Sequence, residues 1–172
     1  MALPFLELLN KMIGESVNLA IKDESEVVYI DHIASNQNLW IFTKVGNRVP
    51  LHSTGVSKVL LAYINDQEKE LYLINRELPK FTESTITDLG RLKEELSQIK
   101  QEGVATDEEE FDVGVKCVAA PIKDATGSIV AAISVSGPSV CLNNQRLQEL
   151  KSIVRTRGLE ISQALGYQEK EQ

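Results

Sequence analysis

The chain has little cysteine, little histidine, no excess of positive charge and no long apolar run. Each shortage removes a class of function. Among 172 residues there are 2 cysteines, Cys117 and Cys141, and 2 histidines, His32 and His52. Two thiols so far apart make no disulfide framework, and a reducing cytosol is the simpler setting. Four scattered ligating side chains have no spacing for a structural zinc site, so neither metal nor cofactor is expected. No apolar stretch approaches the roughly 18 residues of a membrane span. No basic segment followed by a long apolar one marks a signal peptide. The 18 lysines and arginines are outnumbered by 25 aspartates and glutamates, for a net charge of −7. DNA affinity rests on clustered cations meeting phosphates, so this chain is not expected to bind DNA by itself.

What is present is the mix of an ordinary globular domain, 42% hydrophobic and 25% charged, and long enough for one sizeable core. Leu3, Leu6, Leu9 and Ile13 repeat at near-helical spacing, with Pro4 in the first turn and Gly14 as a stop. Val17, Leu19 and Ile21 alternate with polar residues as a half-buried strand does, and a second strand begins at Val27. Residues 39–45 read as a third strand, apolar on both faces, with Trp40 and Phe42 as core and Gly46-Asn47 as its end. Helical patterns cover 54–62 and 66 to about 74, followed by an exposed loop over 76–86. Thr87 or Asp88 caps a helix with the stripe Leu89, Leu92, Leu96 and Ile99, and Gly103 ends it. A short strand near Val104, a hairpin and a long helix from about Asn143 complete the chain. The expected fold is α/β (α+β): one domain over 1–172, an antiparallel sheet of about six strands with helices on its faces.

The hairpin carries the candidate chemistry. Ser134 and Ser136 lie two apart on a strand and share a face. A loop symmetric about Ala125-Thr126 would set Cys117 opposite Ser134 and Val115 opposite Ser136. Polar groups in a core-like strand need partners, and a bound ligand is one such partner. Serines facing water on a one-sided sheet fit the same pattern. Thr54-Gly55-Val56 opens a helix whose N–H groups favour an anion, which also describes any capped helix start. Glu108 to Glu110 read as a solvated loop. Cys117 reads as a buried structural thiol, Cys141 as incidental, and the two histidines as packing or surface residues.

The stretches Val45-Gly46-Asn47-Arg48-Val49-Pro50-Leu51-His52, 55–62, Thr85-Ile86-Thr87-Asp88, 103–121 and 131–138, in that order and spacing, resemble the C-terminal effector-binding domain of the IclR family of bacterial transcription regulators. The resemblance implies a GAF-like, cytoplasmic, non-enzymatic domain that senses a small carboxylate such as a 2-oxo or hydroxy acid. The ligand-contacting positions it implies are Gly55, Val56, Asp107, Cys117, Ser134 and Ser136, with Asp107 turned to a hydroxyl, a hydrate or a positioned water. Ser57 stands where the family has glycine, and Val56 where a smaller residue is common, which would narrow the pocket. The resemblance implies a homodimer or homotetramer, and the apolar character of both faces of 39–45 makes that stretch a candidate contact edge. It further implies a fragment of a longer regulator, reaching DNA only through an N-terminal winged helix-turn-helix absent from these 172 residues. The alternative is a GAF-like redox enzyme using Cys117, with Cys141 as its resolving thiol.

Overall fold

The computed structural model describes residues 2–36, 43–75 and 77–169. Helix α1 (Leu3–Ile13) carries Pro4 in its first turn and stops at Gly14, as its stripe predicts. Strands β1 (Ser16–Asp23) and β2 (Glu26–Ile33) form a hairpin, and the short β3 (Arg48–Pro50) pairs with β2. Helices α2 (Gly55–Tyr63), α3 (Asp66–Asn75) and α4 (Leu89–Glu102) follow. Strands β4 (Ala105–Glu108), β5 (Val115–Lys123) and β6 (Ile129–Pro138) lead to α5 (Asn144–Ala164). The six strands form one antiparallel sheet in the order β3-β2-β1-β6-β5-β4.

Helices cover both faces of the sheet, so the central strands β1, β5 and β6 bury side chains on both sides. On one face Val17, Val118, Ile133 and Val135 pack under α1 and α5 through Leu6, Leu9, Leu147, Leu150 and Val154. On the other, Ala20, Val27, Ala119 and Ala132 meet Val56, Val59 and Leu60 of α2 and Leu92, Leu96 and Ile99 of α4. The residues under α2 are small, which lets that helix approach the sheet. Gly158 does the same for α5: a Cβ there would stand 2.7 Å from the Pro121 carbonyl oxygen. The helix accepts a poor former at that position for the sake of close packing.

Two expectations need correction, and a third falls mostly outside the described residues, of which 43–45 form no strand. Residues 39–42 of the expected third strand, with Trp40 and Phe42, lie outside the described residues, and the strand beside β2 is Arg48–Pro50. The β5–β6 register places Cys117 opposite Ser136, Ala119 opposite Ser134 and Val115 opposite Pro138. The loop is not symmetric about Ala125-Thr126. The Asp124 carboxylate accepts from the Thr126 and Ser128 N–H groups, and Gly127 takes φ 86, a left-handed turn. Lys123 then pairs with Ile129, and an irregularity beyond it brings Ile122 opposite Ala131. The total slip is two residues, so the expected face survives while the partners change. The loop over 76–86 is not wholly exposed: Thr85 and Ile86 are buried, and Thr85 Oγ1 donates to the Glu110 carbonyl oxygen at 2.6 Å.

Candidate functional site

Two rows of polar and small side chains cross the α2 face of the sheet. One row runs Ser16, Ser136, Cys117, Asp107 over β1, β6, β5 and β4. The next runs His32, Asn18, Ser134, Ala119, Ala105 from β2 to β4. Asn18 and Ser134 are each 1% exposed, and Ser136, Cys117 and Asp107 are buried as well. The reading in which both serines face water is therefore excluded.

The N-terminus of α2 stands on this surface. Thr54 caps it, accepting from Ser57 N–H at 3.2 Å. The other N–H groups of the first turn have no acceptor within the helix. A Cβ at position 55 would lie 2.6 Å from Cys117 Sγ and 3.2 Å from Ala119 Cβ, so only glycine fits this approach. The Tyr29 hydroxyl bonds Thr54, and burial first, then Cys117, push its phenol well above the ordinary range.

Charge is held at one end. Asp107 accepts from Glu110 N–H at 2.8 Å, and burial, then the Glu110 carboxylate, push its carboxyl up to about 7. Lys58, fully buried in α2, meets Glu110 Oε1 at 2.6 Å and Glu95 Oε1 at 2.8 Å. Burial alone would drive its ammonium down, but Glu110 and then Glu95 hold it above its usual value. Burial and the Asp107 charge push the Cys117 thiol up to about 12, opposed by a hydrogen bond from Gly55 N–H. Burial that keeps the Cys117 thiol protonated makes it a poor nucleophile, and this does not favour the redox alternative. Among the described residues no group of three or more His, Cys, Asp or Glu is placed to hold a metal. A separate open groove of about 410 Å³, lined in part by Tyr63, Lys123, Arg155 and Tyr167, shares none of these residues.

Of the six positions the resemblance implies, Gly55, Asp107, Cys117, Ser134 and Ser136 converge on one patch. The Val56 side chain instead packs fully buried in the core under α2. Glu110 is not solvated: it is 8% exposed and paired with Lys58. Sequence reasoning missed Asn18, Tyr29, Lys58 and Glu110, and it read His32 as a packing or surface residue. Asn18 sits between Val17 and Leu19 in an alternating strand, which signals a face but not that the face is covered. Lys58 stands inside the apolar run from Val56 to Ala62, a lone charge on a buried helix, and that was a usable signal.

A model of the bacterial transcriptional regulator IclR C-terminal domain matches residues 1–163. The chain is 36% identical over 159 residues to the HTH-type transcriptional regulator KdgR of Escherichia coli K12, covering 92% of this chain and 60% of KdgR. Among solved structures, it is similar to Thermotoga maritima IclR, with a TM-score of 0.91 and 37% identity over 96% of this chain and 67% of that one. It is also similar to the inducer-binding domain of a double mutant of PobR from Acinetobacter, in complex with 3-hydroxybenzoic acid. There the TM-score is 0.86 and the identity 26%, over 94% of this chain and 95% of that one. The chain spans 60% of the length of the curated relatives it matches.

Proposed function

The chain belongs to the IclR C-terminal domain family, and from that membership we propose that it senses a small carboxylate, such as a 2-oxo or hydroxy acid, for a transcription regulator. The observation that carries this reading is the descent of the α2 N-terminus onto Cys117, beside Ser136 and Asp107. Helix N–H groups and serine hydroxyls supply donors for an anion, while Asp107 supplies an acceptor for a hydroxyl. No arginine or lysine stands at Gly55, Val56, Cys117, Ser134 or Ser136 to take that role. A hydroxylated carboxylate is also what the PobR domain holds. In this reading the domain works as a homodimer or homotetramer in the cytoplasm, and DNA is contacted through a separate N-terminal domain. Effector binding at the α2 end alters the DNA affinity of that domain.

The test is a thermal-shift screen of metabolic acids. At a concentration near 100 times its dissociation constant, an effector stabilises by ~2.7 kcal/mol. For a domain this size that is a rise of roughly 5–10 °C. A screen of 2-oxo and hydroxy acids with no shift at millimolar concentration would count against this ligand class.

A further inference from the structure

Two residues outside the implied ligand set stand directly behind the serines. Asn18 on β1 pairs in register with Ser134 on one side and His32 on the other. Its Nδ2 lies 3.2 Å from Ser134 Oγ and 3.1 Å from Ser136 Oγ. Its Oδ1 lies 2.8 Å from His32 Nδ1. One buried amide therefore ties both serines to a ring at the margin of the site.

The orientation of that amide determines what the serines offer. With Nδ2 towards them, each serine oxygen accepts from Asn18; the Ser134 O–H is left to donate elsewhere, and the Ser136 O–H faces Cys117 and the site rather than Asn18. Turned over, Oδ1 would take both hydroxyl hydrogens, and the serines would present only lone pairs. The first arrangement welcomes an anion and the second repels one. His32 decides between them. A ring carrying its hydrogen on Nδ1 donates to Oδ1 and holds the first orientation. A ring with bare Nδ1 would draw the amine round towards itself. Burial holds His32 below its ordinary pKa, with Asp31 acting in the opposite direction, so at neutral pH the ring is mostly uncharged and its tautomer matters.

We propose that Asn18, oriented by an Nδ1–H donor on His32, is a positioning residue that presents Ser134 and Ser136 as hydroxyl donors and so makes the site selective for anionic ligands. The proposal rests on the reading of this patch as the effector site. It adds the device that sets the sign of charge accepted there.

Two arms test it separately. The first needs no ligand: long-range nitrogen–proton NMR of the whole chain, with His32 assigned by a His32→Leu variant. The expected result is a neutral ring protonated on Nδ1, and protonation on Nε2 with bare Nδ1 overturns the proposal. The second arm measures calorimetric binding of pyruvate, lactate and 3-hydroxybenzoate beside their neutral amides, to the parent, Asn18→Leu and His32→Leu. Where an acid binds the parent, each variant is expected to lose about tenfold for the acid, with little change for its amide. Loss shared equally by acid and amide, or no loss, overturns the proposal. If Asn18→Leu does not fold, His32→Leu alone carries this arm, since its side chain is only part-buried. If none of the acids binds the parent, the effector reading is what suffers, and the tautomer alone decides the role of His32 and Asn18.

Discussion

At position 55 there is no room for a side chain. Adding one methyl forces a clash with Cys117 Sγ, and Gly55→Ala is expected to destabilise by about 1–3 kcal/mol. Cys117→Ala removes the clashing sulfur, so the double variant should recover much of that loss, measured by urea denaturation of all four proteins. Additive losses would mean that the helix end does not rest on Cys117. Asp107 gives a pH signature. Burial raises its carboxyl from an ordinary 3.8 to about 7 in the folded chain. Between those values the folded chain holds a proton that the unfolded chain has released. Its contribution to stability therefore falls as pH rises through that window and is flat above it. Asp107→Asn is neutral throughout. It should match the parent near pH 4 and exceed it by on the order of 2–4 kcal/mol above pH 7. A stability difference that is constant with pH would contradict the buried, proton-holding Asp107. At this scale the two serines stood out in an apolar strand, whereas Gly55, Asp107 and Cys117 became site candidates only through the family resemblance. The sequence hid Asn18, because a polar residue in an alternating strand looks the same whether its face meets water or a second layer of helices.

The element that organises the patch is α2. It presents its N-terminus to β5 and β6 while Lys58, one turn along, anchors it to Glu110 after β4 and to Glu95 of α4. Replacing Lys58 by methionine leaves the Glu110 carboxylate buried and unpaired, at a cost of about 3–5 kcal/mol. A melting fall of roughly 10 °C or more is expected. Lys58→Met with Glu110→Leu removes the buried pair, leaves only the part-exposed Glu95 carboxylate to water, and should restore most of it. If the single variant melts like the parent, the pair is not holding α2 in place. The helices were legible because their stripes, caps and stop glycines agreed with one another, as with Asp88 and Gly103 at the ends of α4. The hairpin register was not, because Asp124 and Gly127 build a turn whose residue count the alternation of side chains does not reveal. The three-residue β3 was too short to carry a period of its own.

For the whole molecule, the layering follows from composition: enough apolar residues to cover a six-stranded sheet on both faces, one core against α1 and α5 and another against α2, α3 and α4. Self-association belongs to this scale. Light scattering on the chain is expected to show at least twice the 19.1 kDa of one copy, and a single 19.1 kDa species at high concentration would contradict it. The central claim is narrower: a small acid bound between the start of α2 and the serines of β6. Calorimetry of a screened acid on the parent, Ser134→Ala and Ser136→Ala tests it most directly. Each variant removes a hydrogen bond to a charged group, worth ~1.5–3 kcal/mol. The account predicts a roughly tenfold to hundredfold weaker dissociation constant for each variant, with folding retained. An acid that binds both variants as tightly as the parent would contradict it.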